Sequence, residues 1–276
     1  MENNTWNKIC LCVSEFNYLF GVINYNYNPS NTIIFPNLFD KNSNEYNETQ
    51  VKLRFNLIKE ESFELIDSIE KKDVIEIIDA LADILYVVSG AKVYFNLPND
   101  IINSRLQNDN LDKIKIKISE SDSPLNAEFV NLILQSIREN EYVFNEFKDK
   151  LGNLVLLLQN LTEFILNQYD TFDPQFIFDY SNILDDIVYL VFEISKFIKI
   201  DIMEIFMIVH KSNMTKVCLD ETTAIETIQW YKQNELRYLN PTFRTIELNN
   251  NIFWIIYDQD TKKILKSIKY CPAKFI

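Results

Sequence analysis

Apolar residues recur at helical spacing along most of the chain, and the pattern breaks in a few places. The segment "NKICLCVSEFNYLFGVI", Asn7 to Ile23, predicts a helix near the start. The polar run "DKNSNEYNETQ", Asp40 to Gln50, reads as a loop. Gln50 to Ile69 and Asp73 to Phe95 predict two helices joined by the charged link "EKKD", and Pro98 closes the pair. Residues 107–126, "QNDNLDKIKIKISESDSPLN", read as a polar linker with room for a short strand. Helical periodicity resumes in "AEFVNLILQSIRENEYVFNEF" and continues, with breaks near Pro174, to about Val209. Near the end, the β-rich run "IFWIIYD", the turn "QDTK" and "KILKSI" predict a hairpin. The pattern describes an all-α bundle with a small C-terminal β-hairpin. Its parts are a helical unit at 1–106, a linker at 107–126, a second helical unit at 127–220 and a tail at 221–276.

Six acids interrupt the apolar pattern between Leu57 and Tyr86: Glu60, Glu61, Glu64, Glu76, Asp79 and Asp83. Residues three, four and seven apart share a helix face. Leu57, Glu61, Glu64, Leu65 and Ser68 follow that spacing, so two glutamates fall within an apolar line. On the next helix Glu76, Asp79, Asp83 and Tyr86 share a face flanked by Ile75, Ile78 and Ala82. A solvated acidic face is normally balanced by Lys or Arg three or four residues on. None of the six acids has such a partner; Lys72, in the less favourable order, reaches Glu76. Instead acids follow acids, and each like-charged pair costs about 0.2–0.5 kcal/mol. Carboxylates gathered this way, without His or Cys, suit Mg²⁺ or Mn²⁺.

The charge balance narrows the partners. A net charge of −13 with no basic patch argues against nucleic acid and anionic membrane surfaces. A phosphate substrate remains compatible if divalent cations bridge it to the acids. The 3 glycines form no P-loop and no dinucleotide-binding fingerprint. Cys10, Cys12, Cys218 and Cys271 fit neither a zinc knuckle nor a CxxC pair, and read as free thiols in a reducing compartment. The start of the chain lacks a basic region followed by an apolar run, and "LGNLVLLLQNLTEFIL" is too short and polar to span a bilayer. A cytosolic location is expected. His210 is the single histidine, which excludes a His-rich zinc site, and no nucleophile elbow is present. Chemistry then falls to carboxylates, metal and water.

The halves resemble one another. A shift of 103 residues lays Glu60 over Glu163, Glu76 over Asp179, Asp83 over Asp186 and Tyr86 over Tyr189. The same shift lays Glu61 over Phe164, Glu64 over Asn167 and Asp79 over Asn182. Two readings stand. One is a degenerate tandem duplication whose second copy lost half its acids; the other is the likeness that any two amphipathic helical pairs share.

The stretch "RFNLIKEESFEL…EIIDALADILYVVSGA" resembles the all-α nucleoside triphosphate pyrophosphohydrolases, the superfamily of the MazG proteins, dimeric dUTPases and phosphoribosyl-ATP pyrophosphohydrolases. Their EExxE and ExxD signatures match Glu60-Glu61-Ser62-Phe63-Glu64 and Glu76-Ile77-Ile78-Asp79. "VHKSNMTKVCLDETTAIETIQWYK" and the tail "WIIYDQDTKKILKSIKYCPAKF" are similar to the phosphoribosyl-ATP pyrophosphohydrolase-like branch. One departure is spacing: 133 residues separate Asp83 from Lys216, where the usual unit needs a few tens. The resemblance implies that the chain fuses two units, acting as a pseudo-dimer in one chain or as a homodimer. It implies a nucleotide substrate, Mg²⁺ or Mn²⁺ held by Glu61, Glu64, Glu76 and Asp79, and substrate contacts from Asn213 and Lys216. Glu60 would activate water or be a surface acid. Asp83 and Tyr86 would meet sugar or base, with Tyr86 equally a core residue. Arg54 would meet a phosphate or pair with an acid, and His210 would make a structural hydrogen bond. The competing class is a non-catalytic nucleotide- or metal-binding scaffold, since half of the duplicated acids are gone.

Overall fold

A computed structural model describes residues 5–23, 27–28, 47–108, 141–168, 174–248 and 250–275. The elements are α1 (Thr5–Leu19), α2 (Glu48–Lys71), α3 (Val74–Tyr94), α4 (Asp100–Asn108), α5 (Glu141–Gln168), α6 (Pro174–Phe197), α7 (Ile202–Met214), α8 (Glu221–Asn234), β1 (Pro241–Leu248) and β2 (Asn251–Asp258). Most of the loop expected at 40–50, most of the linker expected at 107–126, and the first part of the second unit lie outside the described residues.

Local signals set the ends of the acid helices. The Asn47 side chain accepts from the Gln50 amide at 3.1 Å and opens α2. Lys72 closes it in the left-handed region at φ 56, and Asp73 then caps α3 by accepting from Ile75 and Glu76. So short a link folds α3 back antiparallel on α2. α3 is buried nearly all round, from Val74 to Tyr94, because α1, α2, α6 and α7 all pack on it. α5 packs against α2 and α6, and α4 against α6. The two helical pairs are therefore neighbours in one core. A fully buried ion pair, Lys92 of α3 with Asp185 of α6, joins them.

The hairpin differs from its expected pairing. "IFWIIYD" is β2, but its partner is β1, which precedes it; "KILKSI" contributes a single bridge, Ile264 to Tyr257. The register runs from Pro241 opposite Asp258 to Leu248 opposite Asn251, leaving a two-residue connection. Such turns need positive φ, and Asn250 supplies it at φ 63. The asparagine run was the turn signal, and "QDTK" instead starts the tail.

A small second core of Cys218, Ala224, Tyr231, Ile256 and Leu265 lies between α8, the hairpin and the tail. After β2 the tail returns along α8 and α7. The Lys266 amide donates to the Tyr231 hydroxyl at 3.0 Å, and the Ile268 amide to Thr227 Oγ1 at 3.2 Å. Ser212 Oγ sits 2.7 Å from the Tyr270 hydroxyl and 2.8 Å from the Cys271 carbonyl oxygen. The Cys271 amide donates to Thr215 Oγ1 at 2.9 Å. At the far end Gly21, at φ 59, ends α1 under the Arg244 guanidinium, 3.2 Å from where a Cβ would stand. Among the described residues no helix is long and apolar enough to cross a membrane.

Candidate active site

The two acid lines meet on one side of the α2–α3 pair. Glu61 feels the charges of Asp83, Glu64 and Glu60, and Asp79 those of Glu76 and Glu64. Glu61, Asp79 and Asp83 are half-buried, whereas Glu64 and Glu76 are exposed. Glu64 was expected in the apolar line with Glu61. Three residues turn a helix to about 60° short of a full circle, which swings Glu64 to the rim. Leu65, one residue on, takes the buried slot at 0% exposure.

Burial, and then the Asp83, Glu64 and Glu60 charges, push the Glu61 carboxyl up to about 9. Burial and Asp79 raise Asp83 to about 7; burial, Glu76 and Glu64 raise Asp79 to about 6. Glu61 Oε2 is buried with no hydrogen-bond partner. An orphaned carboxylate oxygen among like charges is what a cation would satisfy. Among the described residues, no three His, Cys, Asp or Glu side chains stand in ion-holding positions as they lie. Carboxylate oxygens are nonetheless the donor type that Mg²⁺ or Mn²⁺ takes, and Glu64 and Glu76 are exposed at the rim.

These shifts set a pH dependence. The unfolded chain ionises its carboxyls near 4, below the folded values of about 6 and 7 for Asp79 and Asp83. Stability from these groups is therefore full below the unfolded value and lost as pH rises through the folded ones. In chelator, the melting temperature should fall between about pH 5 and pH 8, less steeply in Asp83→Asn. Mg²⁺ should restore the loss. Equal slopes in Asp83→Asn and wild type would refute this electrostatic account.

Positive charge arrives from far along the chain. Lys263 of the tail is ion-paired with Glu60. Lys216, after α7, faces Asp83 and Glu61, and burial lowers its ammonium to about 8 against the pull of Asp83. Lys266 faces Asp79, Asp83 and Glu64. A scan three or four residues ahead of each acid cannot find partners that lie 130 or more residues away.

The other expected site residues separate into two groups. Asn213 is buried beside Tyr86, whose hydroxyl it bonds. Tyr86 is 8% exposed, stacked on Phe206 at 5.4 Å and edge-on to Phe16 at 5.7 Å. Its hydroxyl also lies 3.2 Å from His210 Nδ1. Tyr86 thus lies in the core, the alternative expected beside a sugar or base contact, and His210 makes a structural hydrogen bond to it. Arg54 is also core: its guanidinium lies 5.7 Å from the Tyr94 ring centroid, and burial lowers it to about 10. Among the described residues no ion pair joins it to an acid. In the second helical pair, Asp186 is ion-paired with Arg105, Asp179 accepts from Gln175 Nε2 at 2.8 Å, and Glu163 is exposed. The retained acids there are balanced or solvated, unlike those of α2 and α3.

The phosphoribosyl-ATP pyrophosphohydrolase family pattern matches residues 35–110, which include all six acids and stop short of Asn213 and Lys216. An uncharacterized protein of Acanthamoeba polyphaga mimivirus is 33% identical over 264 residues, covering 92% of this chain and 89% of that protein. No solved structure matches the chain. With the acid pair and the helical fold, the family match gives residues 35–110 of the chain a phosphoribosyl-ATP pyrophosphohydrolase domain, of the all-α superfamily of nucleotide pyrophosphohydrolases.

Proposed function

We propose that this protein is a Mg²⁺- or Mn²⁺-dependent nucleoside triphosphate pyrophosphohydrolase. It would cleave between the α and β phosphates of a (deoxy)nucleotide such as dUTP, giving the monophosphate and pyrophosphate. The observation that carries the reading is the crowding of Glu61, Asp79 and Asp83, with Glu61 Oε2 buried and unpartnered. Acids of a purely structural face would not be held at this electrostatic cost.

Glu61, Glu64, Glu76 and Asp79 would hold the ions. Bound there, Mg²⁺ neutralises phosphate charge and lowers the pKa of a bound water. Asp83, a turn further along α3, holds Lys216 in the site through its charge. Lys216 contacts phosphate, and Asn213 fixes the wall of the site through Tyr86. Glu60 is placed beside the ligand line to orient the attacking water and take its proton, once it is released from Lys263.

A panel of dNTPs and NTPs with Mg²⁺, assayed for pyrophosphate, tests this. Pyrophosphate release from at least one nucleotide is expected. Orthophosphate instead would refute the bond assignment. Nucleotide binding without any turnover would favour the non-catalytic scaffold.

A further inference from the structure

Three lysines converge on the acids, yet they are not simply neutralising them. Lys263 pairs with Glu60. Among the described residues, Lys216 and Lys266 close no ion pair. The Lys216 ammonium lies over the Phe16 ring at 5.8 Å, and that of Lys266 over the Tyr270 ring at 4.8 Å. Lys266 is exposed, so packing does not require its position. The backbone that carries Lys263 and Lys266 is built to stay in place. Tyr231, Thr227, Ser212 and Thr215 each bond it, and its Ile264 bridges to β2. On a chain of net charge −13, such a cationic edge favours the approach of a polyanion beside any bridging cation.

We propose that Lys263 and Lys266 of the tail, together with Lys216, form the polyphosphate-binding side of the site and take the β and γ phosphates that leave as pyrophosphate. The proposal rests on the pyrophosphohydrolase reading. Lys263 exchanges the Glu60 carboxylate for a phosphate oxygen, so the arrival of a triphosphate releases Glu60 for its work on water. Ammonium–phosphate bonds are charge-assisted and strong. A monophosphate has no β or γ group to reach these lysines, so the tail selects for triphosphates.

The test uses the full chain carrying Lys263→Ala, Lys266→Ala and both, with Lys269→Ala as control. Lys269 sits on the same tail but lies 3.5 Å from Asp220, away from the acids. Binding of pyrophosphate with Mg²⁺, and of Mn²⁺ alone, is measured by calorimetry beside KM for a nucleoside triphosphate. The double variant should weaken pyrophosphate at least about 10-fold, since a hydrogen bond to a charged group is worth about 1.5–3 kcal/mol. It should raise KM, leave nucleoside monophosphate affinity unchanged and still bind Mn²⁺. Lys269→Ala should match wild type. Unchanged pyrophosphate affinity in the double variant, or an equal loss in Lys269→Ala, would overturn the proposal. If the alanine variants lower the melting temperature, Lys266→Gln at its exposed position carries the same comparison. Wild-type turnover with unaltered variant affinity sinks the subsite alone. Lysine-dependent pyrophosphate binding without turnover sinks the enzyme reading and keeps the subsite.

Discussion

Glu61→Gln is expected to lower pyrophosphate release by at least about 100-fold while raising the melting temperature of the chain in chelator. The first effect follows from the metal-ligand role proposed for it. Residues that merely support a metal ligand cost about 10–100-fold when lost, and a direct ligand costs more. The second follows from linkage. Burial and the neighbouring acids push Glu61 up to about 9, whereas the unfolded chain ionises it near 4. Its stability contribution is full below the unfolded value and lost progressively as pH rises toward the folded one. Glutamine is neutral in both states and removes that penalty. The gain over wild type should therefore grow from pH 5 to pH 8, by about 2–4 °C per kcal/mol. A general folding defect would lower both activity and melting temperature. That outcome, or full activity in the variant, would remove Glu61 from the site.

Lys92→Met should destabilise the chain by about 3–5 kcal/mol, on the order of 10 °C in melting temperature. The pair with Asp185 is fully buried, with Lys92 at 0% and Asp185 at 2% side-chain exposure. Removing one partner leaves an uncompensated charge in the core between α3 and α6. Replacing both, as Lys92→Met with Asp185→Leu, should recover most of the loss, because a buried pair gains little over apolar packing. Equal losses in the single and double variants would mean that the helices depend on side-chain volume here and not on charge. Denaturant unfolding of both variants decides between these.

The helices were legible because their signals are local. Asn47, Lys72 and Asp73 mark the ends of α2 and α3 within a residue or two, and apolar spacing marks their faces. The acids were legible for the same reason: spacing and missing neighbours are properties of a short window. The lysines were not, since Lys263 reaches Glu60 across 203 positions. Tyr86 shows a different limit. It lies in line with Asp83, but α1 and α7 close over it, and no window on α3 contains Phe16, Phe206 or His210. The C-terminal hairpin was legible, with "IFWIIYD" as one strand, but its partner was not: "QDTK" looked like its turn, while the connection before β2, with Asn250 at φ 63, makes it. The shifted comparison of the halves found a second helical pair, and Asp186 in that pair serves Arg105.

The tie between Glu60 and Lys263 also has a consequence for how the protein is made. α2 and α3 leave the ribosome early, and their short link lets them pair at once. Lys263, 203 positions on from Glu60, is synthesised well after them and must be brought back across that span. Contacts of such separation come at the end of folding, because loop closure has to precede them. For that interval the nascent protein holds its acidic half without its basic half. On the proposed reading, competence to receive a polyanion is thus withheld until the segment that bears Lys263 and Lys266 has been made and docked.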